Sequence, residues 1–240
     1  TWKTASNYYV NVNGTWKEGS EIHAISIIRT NLEFYINPSS YISGTTVADL
    51  SGNNRTYDLV NGVTHNTSPS RFTLDGTDDY LEVASDYSVT TTNPTFIMWI
   101  KRNGEQSSYT GLMVNRNSNT DVSGMIFRDT TEEIGYIINN YGFLWQSGLV
   151  VADATWTMVA IAVNSTTVKA YRYTSSSTPS TATNTNSHSS YTYSNLELGR
   201  DNYGGRHFEG EIGHSLFYSS TLTDSEITQI YNATKATYGY

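Results

Sequence analysis

Three aspartates within five residues, Asp75, Asp78 and Asp79, form the densest group of potential ligands in the chain. Hard cations such as calcium take about six to eight oxygen ligands, and clustered carboxylates with loop carbonyls supply them. The same residues have a second reading: Asp75-Gly76 makes a turn while Asp78 or Asp79 caps backbone N–H groups. A second segment, residues 200–207 (Arg-Asp-Asn-Tyr-Gly-Gly-Arg-His), is polar and aromatic around a glycine pair. There Tyr203 could stack on a sugar ring while Asp201, Asn202 and Arg206 hydrogen-bond its hydroxyls; an ordinary hairpin explains the glycines equally well. Tyr141 and Trp145, around the Asn140-Tyr141-Gly142 turn, make a further aromatic candidate, although a strand tryptophan more often belongs to a core.

Bond-cleaving chemistry finds little support. Glycoside hydrolysis on a β-sandwich needs carboxylates at alternating strand positions, which place an acid and a nucleophile on one face. Glu209-Gly210-Glu211 comes nearest and is followed by Ile212-Gly213-His214 instead of a third carboxylate. Glu132 and Glu133 are adjacent and point to opposite faces. The five histidines show no metal-ligand spacing, although His207 and His214 could converge on folding. Neither a phosphate loop nor a nucleophile elbow is present. No catalytic residue is therefore expected, and no cofactor is implied beyond calcium as the candidate ion.

Composition sets the frame for these groups. Nineteen Tyr and five Trp with only 15% charged residues make a β-rich composition, because aromatic and β-branched side chains suit a half-buried pleated surface. A formal charge of −8 disfavours nucleic acid and anionic membrane surfaces alike. No apolar run is long enough to span a bilayer, so membrane insertion is not expected. The absence of cysteine excludes disulfides and thiolate metal sites. The chain starts at Thr1, which fits either a removed leader or one part of a longer polypeptide.

Along the chain, residues 1–6 (TWKTAS) recur as residues 15–20 (TWKEGS), with an alternating segment and Asn13-Gly14 between them. This reads as a β-hairpin, giving an N-terminal segment over residues 1–30 and a main domain over residues 31–240. The main domain reads as short strands at about 32–36, 71–74, 80–83, 95–102, 111–115, 124–128, 133–139, 143–146, 155–164, 166–173, 195–199 and 210–218. None alternates with a helix, so a sandwich or barrel is expected rather than a parallel α/β sheet. Residues 37–69 read as loop-rich, and the Ser/Thr/Asn-rich stretch 174–190 as a long surface loop. One helix is signalled near the C-terminus. Thr223 and Glu226 form a capping box, Leu222 and Ile227 a hydrophobic staple, and Ile227, Ile230 and Tyr231 an apolar stripe.

Three segments resemble the laminin-G-like group of concanavalin A-like jelly rolls. They are residues 71–83 (RFTLDGTDDYLEV), 96–100 (FIMWI) and 208–232, which run from Phe208-Glu209-Gly210 through Leu222 to Tyr231-Asn232. The resemblance implies an all-β concanavalin A-like jelly-roll sandwich with one short C-terminal helix, preceded by the N-terminal hairpin. The hairpin, especially residues 9–17 (YVNVNGTWK), resembles a segment of bacteriophage tail and other virion proteins. That likeness implies a non-enzymatic virion structural protein, a capsid decoration or tail fibre component, displayed on the virion surface. Its expected partners are other virion subunits and host or environmental glycans, in a homo-oligomer of three or more copies. A free carbohydrate-binding module or adhesin is the alternative, and a glycoside hydrolase of the same fold a third.

Overall fold

The computed structural model describes residues 9–12, 15–18, 26–84, 87–128, 130–138, 143–186 and 189–240. The N-terminal hairpin is present in its backbone, with Tyr9–Val12 antiparallel to Thr15–Glu18 and Val12 opposite Thr15. Its Asn13-Gly14 turn lies outside the described residues.

The rest is a sandwich of two antiparallel eight-stranded sheets. The first runs Ser180–Thr185, Thr167–Tyr173, Thr157–Val163, Thr95–Arg102, Glu209–Tyr218, Ser70–Asp75, Thr64–Thr67. The ten-residue Glu209–Tyr218 strand is long enough to take two partners along one edge. Its first half pairs with Ser70–Asp75 and its second with Leu32–Ile36. The second sheet runs Phe143–Val150, Glu133–Ile138, Val122–Phe127, Gly111–Arg116, Leu196–Leu198, Tyr80–Val83, Thr56–Val60, Thr46–Ala48.

Between the sheets lies an aromatic core that includes Phe34, Tyr57, Phe72, Phe96, Tyr136 and Phe217. The first sheet is covered on its outer face as well. There the Asp224–Thr234 helix and the chain after it bury Ile227, Ile230, Tyr231 and Tyr238 against Trp99, Tyr171 and Tyr218. Burial on both faces removes the usual polar alternation of an antiparallel strand. Every position of Thr157–Val163 is accordingly buried, as are the first six of Thr95–Arg102. The capping box forms as expected: Thr223 Oγ1 accepts from the Glu226 N–H, and the Thr223 N–H donates to Glu226 Oε2 at 2.8 Å. Among the described residues no helix is long and apolar enough to cross a membrane.

Two expectations need correction. The stretch 174–190 is not simply a loop, because Ser180–Thr185 pairs along its whole length with Thr167–Tyr173 as an edge strand. Residues 37–69 likewise contain Thr46–Ala48, Thr56–Val60 and Thr64–Thr67. These are edge or near-edge strands, where one or both faces stay wet, so their sequences carry little apolar signal.

Candidate functional site

The aspartate turn joins Ser70–Asp75 to Tyr80–Val83. Asp75 Oδ1 accepts from the Thr77 N–H at 2.8 Å, and backbone donors, Thr77 foremost, hold the Asp75 carboxyl below its usual range. Asp79 is only 3% exposed; its Oδ1 accepts from Gly62 N–H at 2.6 Å and its Oδ2 from Asp75 N–H at 3.1 Å. Burial pushes the Asp79 carboxyl up. One oxygen from each of Asp75, Asp78 and Asp79 lies within 4.8 Å of the others. Three of their six carboxylate oxygens already cap backbone N–H groups, so the geometry meets the turn reading directly. It supplies few of the oxygens calcium needs.

Beside this turn is a pocket of about 390 Å³ on the outer side of the first sheet, where the helix does not reach. Cross-strand register builds it. Asp75 lies opposite Glu209, and Glu211 lies between Thr73 and Lys101. Asp75, Glu209 and Glu211 therefore share one face, and the third carboxylate missing from the local Glu-Gly-Glu pattern arrives from the neighbouring strand. Glu211 is held by Arg71 at 2.9 Å and Lys101 at 3.5 Å. Asn103 Nδ2 donates to Glu209 Oε1 at 2.5 Å. Arg102, also lining the pocket, is paired with Asp153 at 3.3 Å.

The 200–207 loop stands on the outer side of the second sheet. Asp201 is 1% exposed and receives Arg116 through both Nε and Nη2, and Arg206 Nη1 at 2.8 Å. It anchors the loop from beneath and does not face a ligand. Tyr203 is 43% exposed, with the Arg206 and Arg116 guanidinium groups 4.6 Å and 5.2 Å from its ring centre. Arg206 also lies 4.7 Å from the Tyr109 ring, which Arg128 approaches at 4.8 Å. The result is a ladder, Arg128–Tyr109–Arg206–Tyr203–Arg116, in which each cation meets the negative face of a ring. Gly204 and Gly205, at φ 48° and 70°, supply the left-handed turn that presents Tyr203. Tyr109 itself sits at φ 65°, uncommon for a bulky residue. Asn202 is exposed at the loop tip.

The other aromatic candidates differ. Trp145 is 9% exposed, pairs with Tyr136 across the sheet and belongs to the interior core, so it offers no stacking platform. Tyr141 lies outside the described residues. Tyr109, Arg116 and Arg128 were not anticipated. Arg116 and Asp201 meet across 85 residues of sequence, and no local pattern encodes that. One link ties both places together: loop residues 103–110 contribute Asn103 to the pocket and Tyr109 to the ladder.

A second row of carboxylates crosses the second sheet, with Glu197 opposite Glu82 and Glu82 opposite Asp58. Glu197 is 1% exposed, and both its oxygens are clamped by Arg200 at 2.9 Å and 2.5 Å. Burial, and then the Glu197 charge, push the Glu82 carboxyl up. An acid beside an anion is a glycosidase-like pairing. However, a carboxylate this enclosed, with a guanidinium across both oxygens, is not placed to attack an anomeric carbon.

The family model described as the concanavalin A-like lectin/glucanases superfamily matches residues 75–228. Similar solved structures share the fold. Domain 4 of a GH43 extracellular arabinanase from Geobacillus stearothermophilus, in complex with arabinotriose, is 15% identical, with 83% of this chain and 98% of that one covered at a TM-score of 0.65. The ligand-binding domain of botulinum neurotoxin serotype D, in complex with N-acetylneuraminic acid, is 15% identical over 87% of this chain and 52% of that one, at 0.63. Trypanosoma rangeli sialidase, in complex with sialic acid, is 10% identical over 96% of this chain and 42% of that one, at 0.65. The chain thus spans about half or less of the toxin and sialidase chains. No curated protein sequence matches it.

Proposed function

Since the chain belongs to the concanavalin A-like lectin/glucanases superfamily, we propose that it is a non-enzymatic glycan-binding module whose contact surface is the rim bearing Tyr203. The observation that carries this reading is the exposed Tyr203 ring, fixed by contact with the Arg116 and Arg206 guanidinium groups, which are themselves pinned by buried Asp201. A fixed aromatic face can stack on a sugar ring without the entropy cost of ordering a loop on binding. Solved neighbours in complex with arabinotriose and with sialic acid lend support at the level of the fold.

The test is a glycan array, run with calcium and with chelator, on wild type and Tyr203→Ala. Binding that falls at least tenfold in the variant, with an unchanged melting temperature, supports the reading; an array without a binder removes it. Calcium acts at the Asp75–Asp79 turn only if chelation changes the array signal.

The setting we assign is a virion surface, as a capsid decoration or tail fibre component that joins other virion subunits as a trimer or higher homo-oligomer. The support is the Tyr9–Val12/Thr15–Glu18 hairpin and its likeness to virion segments. Light scattering that finds a monomer at every concentration, with the hairpin present, sinks it.

The enzyme reading rests on the Glu82–Glu197 pair. Polysaccharide turnover abolished by Glu82→Gln would establish it, and the enclosure of Glu197 is why we set it second.

A further inference from the structure

The pocket of about 390 Å³ beside the aspartate turn differs in character from the Tyr203 face. Among the described residues that line it none is aromatic, so charge and hydrogen bonding decide what it holds. The charge is lopsided. Asp75, Glu209 and Glu211 line it together with Lys101 and Arg102. Glu211 is paired with Arg71 and Lys101, and Arg102 with Asp153, so among the described residues the Asp75 and Glu209 carboxylates are the lining charges without an ion pair. Ionised carboxylates only accept hydrogen bonds. Asn103 satisfies one oxygen of Glu209. Glu211 Oε2 is buried and accepts no hydrogen bond, with the Lys101 ammonium 3.5 Å away as its ionic neighbour. A donor-rich, positively charged ligand would satisfy such walls, whereas a sialic acid carboxylate would meet repulsion. The volume lies at the small end of ligand pockets.

Resting on the glycan-binding reading, we propose that this pocket is a subsite for an amine-bearing sugar, a hexosamine unit without an acetyl group. The ammonium would sit between Asp75 and Glu209, which lie opposite each other on paired strands, and ring hydroxyls would donate to the remaining accessible oxygens or accept from Lys101. Because the register Asp75–Glu209 and Thr73–Glu211–Lys101 is built into paired strands, the subsite is formed before the ligand arrives.

The experiment is calorimetric titration of the whole chain with a glucosamine tetramer, its N-acetylated counterpart and neutral arabinotriose. Wild type, Glu209→Gln and Tyr203→Ala are compared. The expected result is about tenfold tighter binding of the free amine than of the acetylated tetramer, the size of one charge-assisted contact. That ratio disappears in Glu209→Gln, which keeps shape and the Asn103 partner, and persists in Tyr203→Ala. Equal affinity for the two tetramers overturns the amine subsite and leaves glycan binding standing. A preference that survives Glu209→Gln overturns the assignment to this pocket. Failure of all three sugars to bind overturns the subsite, and an array that also shows no binder removes the glycan reading with it.

Discussion

The indole N–H of Trp99 donates to Thr234 Oγ1 at 2.7 Å, joining the middle of the first sheet to the last turn of the helix across 135 residues of sequence. Both side chains are buried. Tyr238 stacks on the same indole with ring centres 4.4 Å apart, and Tyr231 and Tyr240 add further stacking contacts. The helix is therefore fastened by a directional bond inside an aromatic layer.

Thr234→Val removes the acceptor, keeps the shape and leaves a buried indole N–H without a partner. The expected loss is about 1–3 kcal/mol, read as a lower urea midpoint with an unchanged slope. A midpoint equal to wild type would show that the bond contributes nothing.

Asp201→Ala strips the common acceptor from Arg116 and Arg206. Removing one partner leaves buried positive charge uncompensated, at a cost of about 3–5 kcal/mol. The Tyr203 ring loses its supports at the same time. Both stability and glycan affinity should fall, whereas Tyr203→Ala should lower affinity alone; chemical denaturation beside the array separates the two.

Thr223→Ala breaks the capping box. About 1 kcal/mol of stability should go, and Thr223→Ser should restore most of it. The comparison is made by thermal melts of the three proteins.

Stability should depend on pH through His214, whose imidazole is pushed down to about 4 by burial. In the unfolded chain it titrates near its ordinary value of 6.5, so between those values the unfolded state binds the proton and the folded state does not. The contribution is complete above about 6.5 and is lost progressively as pH falls toward about 4, on the order of 3 kcal/mol in all. Denaturation midpoints of wild type and His214→Gln across that window should show a slope in the first and a shallower one in the second.

Elements that speak through local chemistry were readable from the chain alone. The capping box at Thr223 and Glu226 and the buried run 96–100 follow from neighbours in sequence, because caps and two-sided burial act over a few residues. The Asp75 turn was legible for the same reason, as was the exposed Tyr203 ahead of its glycine pair. The edge strands were not, since Thr46–Ala48 and Ser180–Thr185 are strands by virtue of the partner beside them. For Trp145 the chain alone favoured core over stacking platform without deciding it, and the sheet's facing turned it inward. The same holds for the site. Sequence supplied Glu209 and Glu211, but Asp75 joins them through strand register, and Arg116 reaches Asp201 through the packing of a loop on a distant strand. Side-chain identity and short-range geometry are encoded in order along the chain, whereas the convergence of charges depends on which strands lie side by side. Long-range packing of the two sheets settled that.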